Sequence, residues 1–114
     1  MQVLMIDKNK KRLYNERDVH ETVAMINNGH FHKVADVFGN SCEEVYQRTQ
    51  NYEDAWTQNP DVILTEITRK NREYTRSTMI GDVILKGHGI QKEYFVVSSF
   101  GFEKLQGIDE DFKV

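Results

Sequence analysis

The sequence has little cysteine, little proline and little excess charge. Its 114 residues include one cysteine, Cys42, and one proline, Pro60. A single cysteine cannot form an internal disulfide, which is typical of a protein from a reducing compartment. The formal net charge of −3 argues against a protein that coats DNA by bulk electrostatic attraction. We therefore expect one domain, residues 1–114, that folds in the cytoplasm without disulfides.

The sequence also lacks a long apolar run. No stretch approaches the roughly eighteen apolar residues of a membrane span, and the run at 3–6 is too short for a signal peptide. Apolar residues make up 39% of the chain and charged residues 29%, a balance that is typical of a folded globular domain. These absences predict a protein that does not bind a membrane.

No motif in the sequence specifies a reaction. There is no carboxylate pair, catalytic triad order or Walker phosphate-binding loop. His30 and His32 would share one face of a strand, as two metal ligands do, but a structural metal needs two more ligands. Cys42 lies beside Glu43, whose charge disfavours a thiolate, so we expect it to face the core. We therefore predict a protein that is not an enzyme, with no cofactor and no metal.

Hydrophobic periodicity predicts an α+β fold. Runs rich in β-branched and aromatic residues predict strands at 2–7, 30–38, 62–68, 83–85 and 94–97, with short further pieces at 12–14 and 100–105. Capping residues and apolar stripes predict helices at 15–28 and 41–51. We expect a small, mainly antiparallel sheet of about five strands with two helices packed on one side.

Finer expectations follow from the same patterns. The period of two in the second strand places Phe31, Ala35 and Val37 on one face. The apolar run that begins at Val83 is typical of an interior strand, joined to the next strand through Gly87-His88-Gly89. Large aromatic side chains are needed to fill a core of this size, so we expect Trp56 and Phe100 to be buried. A hairpin tip is expected for the basic cluster at 8–12.

A second basic segment is the candidate binding site. Its residues are Arg69, Lys70, Arg72, Tyr74, Arg76, Ser77 and Thr78. The guanidinium fork of Arg76 and the hydroxyls that follow it are groups that hold a phosphate. The alternative is that Arg76 pairs with Asp82, Glu66 or a carbonyl while the hydroxyls tie the loop to itself. We expect this structural role, because a loop that must be ordered before Gly81-Asp82 needs no ligand.

Several short motifs occur together in order along residues 31–105. They are Thr49-Gln50-Asn51, Trp56, Arg76-Ser77-Thr78, Gly81-Asp82-Val83-Ile84 and Ser99-Phe100-Gly101-Phe102. This set resembles small proteins of bacteriophages and mobile elements, including the YodL-like group, although Met79-Ile80 lies where a polar–apolar pair is more usual. The resemblance implies a phage-type accessory protein. No reaction is defined for such a family, so no catalytic residue is carried over.

Two hypotheses for function follow. The first is a small phage-encoded accessory protein that binds and modulates a host bacterial protein, such as a defence, restriction or transcription component, in the cytoplasm of the infected cell. The alternative is a nucleic-acid or nucleotide-binding module that uses the basic segment at 69–76. Both are compatible with a monomer or a homodimer.

Overall fold

The fold is built on one antiparallel sheet. A computed structural model describes residues 1–10 and 19–109 of the chain. Within these residues the sheet has six strands in the order β3-β2-β1-β4-β5-β6, and each neighbouring pair is antiparallel. The strands are β1 Gln2–Ile6, β2 Phe31–Val37, β3 Val62–Leu64, β4 Val83–Lys86, β5 Glu93–Ser98 and β6 Gly101–Lys104. The α+β class and the antiparallel sheet are confirmed, with six strands instead of about five.

The helices are short. They are α1 Val19–Asn27, α2 Cys42–Arg48 and α3 Glu66–Lys70, together with 3-10 turns at Trp56–Gln58, Arg72–Thr75 and Gly89–Gln91. The return strand expected at 12–14 and the first turn expected for helix 15–28 lie outside the described residues. Every helix within the described residues is too short and too polar to cross a membrane.

Side chains on the two faces of the sheet form two cores. In β1, Val3 and Met5 face one core, whereas Leu4 and Ile6 face the other. The first core is covered by α2, through its buried Val45, and by the 3-10 turn that begins at Trp56, and the second core is covered by α1. The expectation that both helices lie on one side was wrong. Because the central strands are apolar on both faces, each face needs its own cover.

A bulge in β2 changes which side chains share a face. Val3 pairs with Ala35 but Leu4 pairs with Lys33, which leaves Val34 as an extra residue. As a result Ala35 contributes to the first core and Phe31 to the second. The expectation that Phe31, Ala35 and Val37 share a face was wrong, because strict alternation ends at the bulge.

The predicted strand at 62–68 ends early. β3 stops at Leu64, and the hydroxyl of Thr65 donates to the carbonyl of Lys33 at 2.8 Å. The hydroxyl of Thr68 donates to the carbonyl of Val34 at 2.6 Å, which holds the first turns of α3 against β2. Residues 66–75 are therefore mostly helical, since these side chains supply the hydrogen bonds that a longer strand would have formed.

The predicted start of α2 and the β4–β5 hairpin are confirmed. Ser41 Oγ accepts a hydrogen bond from the N–H of Glu44 at 3.2 Å, as in a capping box, although the Glu44 carboxylate returns to the N–H of Asn40 at 2.8 Å. At the hairpin, Gly87 has φ +79°, and a Cβ there would lie 2.7 Å from the carbonyl oxygen of Gln91. This turn therefore requires glycine.

The two aromatic side chains expected in the core have opposite environments. Trp56 is 2% exposed, as expected, but Phe100 is 93% exposed. Ser98 pairs with Gly101 across β5 and β6, which leaves Ser99 and Phe100 as a two-residue turn. The burial expected for Phe100 was wrong, because a residue at the tip of a tight turn projects beyond both faces of the sheet.

Candidate functional site: a closed loop and a basic cleft

The loop at 76–82 is closed on its own ion pair. Arg76 Nη1 donates to Asp82 Oδ2 at 2.7 Å, and Nη2 donates to Oδ1 at 2.8 Å. Nη1 also donates to the carbonyl of Ser77, and Asp82 Oδ2 accepts from the N–H of Met79 at 2.9 Å. Asp82 is fully buried. The structural role expected for Arg76 is confirmed, because its bidentate pair supplies the opposite charge that a buried carboxylate needs.

The end of α2 holds this loop in place. The N–H of Asn51 donates to Ser77 Oγ at 2.7 Å, and the side-chain amide of Gln50 donates to the carbonyl of Thr78 at 2.8 Å. In return, the N–H of Thr78 donates to the carbonyl of Thr49 at 3.0 Å. The Thr49-Gln50-Asn51 and Arg76-Ser77-Thr78 motifs therefore form one hydrogen-bonded unit.

Trp56 belongs to the same unit. Its indole N–H donates to the carbonyls of Thr75 and Arg76, at 2.9 and 2.8 Å, and its backbone N–H donates to Asn51 Oδ1 at 3.0 Å. A buried tryptophan needs an acceptor for its indole N–H, and here the loop supplies two. The fold therefore brings together three motifs that are separated in sequence: Thr49-Gln50-Asn51, Trp56 and Arg76-Ser77-Thr78.

The seven candidate binding residues are not all brought together. Arg69 and Lys70 are exposed on α3, where Lys70 pairs with Glu66 at 2.6 Å. Tyr74 is 3% exposed and Thr78 is fully buried. The buried ring of Tyr74 cannot stack on a base, and the buried hydroxyl of Thr78 cannot reach a phosphate at the surface, so the segment does not present these seven residues as one binding face.

A basic cleft lies beside the loop instead. It has a volume of about 390 Å³ and is lined by Ile6, Asp7, Lys8, Lys10, Arg72, Glu73, Tyr74 and Arg76. The turn after β1 is tied to the second basic segment because Lys8 Nζ donates to Asn71 Oδ1 at 3.0 Å and the N–H of Lys8 donates to the Tyr74 hydroxyl at 3.1 Å. The two basic clusters are far apart in the sequence, and nothing in their spacing shows that they meet.

An Asp–His pair adjoins this cleft. Asp7 Oδ2 lies 2.9 Å from His32 Nε2, and Asp7 Oδ1 accepts from the N–H of Asn9 at 2.9 Å. The hydrogen bond from His32, followed by that from Asn9, lowers the pKa of Asp7 below its usual value. The ring of His32 meets that of Tyr74 edge-on at 5.9 Å between centroids. Burial raises the pKa of Tyr74, so its hydroxyl stays protonated at neutral pH.

The described residues contain no cluster of three metal-ligating side chains. Cys42 is partly buried against the first core, as expected. Burial, and then the neighbouring charge of Glu43, raises the pKa of its thiol. A thiol with a raised pKa is a poor nucleophile at neutral pH.

Large apolar side chains are exposed at several places outside the two cores. They are Phe38, Tyr52, Ile63, Ile90 and Phe100. Of these, Ile90 and Phe100 are almost fully exposed, at opposite ends of β5. Single exposed apolar side chains are common on protein surfaces, and an aromatic side chain at such a place can also serve as a contact residue for a protein partner.

Comparisons of this chain with protein-family models, with curated proteins and with solved structures found no match.

Proposed function

We propose that this chain is a small phage-type accessory protein that acts by binding and modulating a host bacterial protein. The exposed Phe100 supports this proposal most directly. The motif resemblance supports the phage setting, and with it the cytoplasm of an infected bacterium as the place of action. In this proposal the chain acts by contact and not by catalysis.

Phe100 is placed on a rigid support. The Ser98 hydroxyl donates to the carbonyl of Gly101 at 3.1 Å and accepts from the N–H of Phe100 at 3.3 Å. These bonds brace the turn from within, so the backbone at Phe100 has little conformational freedom to lose on binding. An aromatic side chain with two rotatable bonds on a rigid turn is well suited to fill a pocket on a partner.

Capture from host lysate tests this proposal. The immobilised chain is incubated with bacterial lysate, with and without nuclease, beside the Phe100→Ser variant and the matched Ser99→Ala variant. We expect a stoichiometric host protein that survives nuclease, is retained by Ser99→Ala and is lost with Phe100→Ser. Equal capture by the Phe100→Ser variant would contradict the role of Phe100, and recovery through nucleic acid alone would contradict the function.

The nucleic-acid alternative has weaker support. It used the basic segment that contains Tyr74, and Tyr74 is buried with its hydroxyl bonded to Lys8. It also depended on Arg76, whose fork is occupied by Asp82. Arg72 remains on the cleft wall, and the cleft is the observation that favours an anion over a protein at this place.

A further inference from the structure

The basic cleft contains exposed cations. Lys10 and Arg72 are exposed on its wall, and neither forms an ion pair or a side-chain hydrogen bond with a described residue. Other cations do have carboxylate partners in the structure, namely Lys33, Arg48, Lys70, Arg76 and Lys104. Arg69, Lys86 and Lys92 also form no ion pair with a described residue, but they do not line this cleft. Lys10 and Arg72 differ from them because they share one cavity.

The wall of the cleft carries a buried hydrogen-bond donor. Tyr74 is 3% exposed, and its hydroxyl oxygen accepts from the N–H of Lys8 at 3.1 Å. No described residue accepts the hydrogen of this hydroxyl. A buried donor without an acceptor is costly unless a ligand or water accepts from it.

The fold holds these groups in position before any ligand arrives. Lys8 is bonded to Asn71, and Arg76 is held against the cleft by its bidentate pair with Asp82. A site whose walls are already ordered loses little conformational entropy on binding.

We infer that the cleft between the Asp7–Lys10 turn and the Arg72–Arg76 segment binds the phosphate groups of a small phosphorylated molecule of nucleotide size. Lysine ammonium and arginine guanidinium groups are the side chains that bind phosphate oxygens most strongly, and the tyrosine hydroxyl adds a neutral donor. The volume of about 390 Å³ lies at the lower end of the range of small-molecule sites, roughly 300–1,000 Å³. This inference does not depend on the proposed host partner.

The charges around the cleft favour a compact ligand over a polymer. Two carboxylates, Asp7 and Glu73, also line it, and the chain as a whole has a formal charge of −3. A compact phosphate group can contact the cations directly, whereas an extended nucleic acid must also pass over negative surface. The local charge thus supports binding within the cleft, and the net charge opposes binding along the surface.

Titration of the ¹⁵N-labelled full chain tests this inference, with ATP and with pyrophosphate as the probes and a dodecamer of single-stranded DNA as the comparison. We expect saturable amide shifts confined to residues 7–10 and 71–76 for both probes. Each of Lys10→Gln and Arg72→Gln should weaken ATP binding about 10-fold, because each removes a charge-assisted hydrogen bond. Both residues are exposed, so the variants should keep the fold.

Arg69→Gln is the matched control, because Arg69 belongs to the same basic segment but lies outside the cleft. It should leave the affinity for ATP unchanged. Absence of saturable shifts, or an equal loss in Arg69→Gln and Arg72→Gln, would overturn the inference. Tighter binding of the DNA than of ATP, with a salt dependence of about three charges or more, would show that the cleft binds a polyanion instead of a small ligand.

Discussion

The loop at 76–82 and the turn at 98–101 lie side by side, yet they use their residues in opposite ways. The N–H of Gly81 donates to the carbonyl of Val97 at 2.9 Å, and the N–H of Val97 donates to the carbonyl of Asp82 at 2.8 Å. The turn begins at the next residue. In the loop, the side chains of Arg76, Ser77 and Asp82 are bonded within the protein, although the buried Thr78 hydroxyl has no hydrogen-bond partner among the described residues. The turn, by contrast, leaves Phe100 in solvent.

This difference has a physical cause. The loop places a carboxylate, that of Asp82, in the buried end of the sheet, and a buried charge is tolerated only with a partner and further hydrogen bonds. The turn contains no charge, and the Ser98 hydroxyl satisfies its backbone groups. Its aromatic residue is therefore not needed for folding, and such a residue is available for a partner.

The largest effect is expected for Trp56, which joins the loop to the first core. Trp56→Ala should lower the free energy of unfolding by about 3–5 kcal/mol, since it opens a cavity and leaves the carbonyls of Thr75 and Arg76 without their donor. Urea denaturation measures this loss. Trp56→Phe should cost less, because it keeps most of the volume. An Ala variant as stable as the parent would contradict the core role of Trp56.

The next largest loss of stability is expected for the ion pair between Arg76 and Asp82. Arg76→Ala should cost about 3 kcal/mol, because it leaves the buried Asp82 carboxylate without its cation. A double-mutant cycle with Asp82→Ala separates the pair from its surroundings, and we expect a coupling of about 2 kcal/mol. Additive losses from the two single variants would show that the pair does not hold the loop.

A matched pair of serines compares the two regions directly. Ser77→Ala removes the acceptor for the N–H of Asn51 and should cost about 1 kcal/mol. Ser99 is exposed in the open turn, and Ser99→Ala should leave the thermal midpoint unchanged. Equal effects in the two variants would remove the distinction between a closed loop and an open turn.

The smallest effect on stability is expected for Phe100. Phe100→Ala should change the free energy of unfolding by less than about 0.5 kcal/mol, because the ring is 93% exposed. Chemical denaturation beside the Trp56→Ala variant provides the comparison. A loss of several kcal/mol would mean that Phe100 packs against the protein, and it would contradict the open turn.

Much of the fold could be predicted from local signals. The cap at Ser41, the glycine turn at Gly87 and the apolar strand at Val83 are encoded by neighbouring residues and are confirmed. The early end of β3 could not be predicted, because Thr65 and Thr68 bond to carbonyls of β2 more than thirty residues away. The bulge at Val34 likewise depends on the pairing of β2 with β1.

The features of the candidate site likewise fall into those that local sequence signals predict and those that depend on distant contacts. A structural role for Arg76 could be predicted, with Asp82 as one of three possible partners, because the two residues flank one short loop; the structure selects Asp82. The burial of Tyr74 could not, since the side chain is covered through contacts with Lys8 and His32 that are distant in sequence. A basic segment with a tyrosine has the same sequence pattern whether the ring is buried or exposed.

The sequence by itself determined the α+β class and the absence of a possible internal disulfide, because composition and short-range patterns are sufficient for each. Only the tertiary structure decided that helices cover both faces, that Phe100 is exposed and that two basic clusters share one cleft. These features depend on strand order and on hydrogen bonds between distant residues, such as Lys8 with Asn71. The packing of the whole chain decides which distant residues meet.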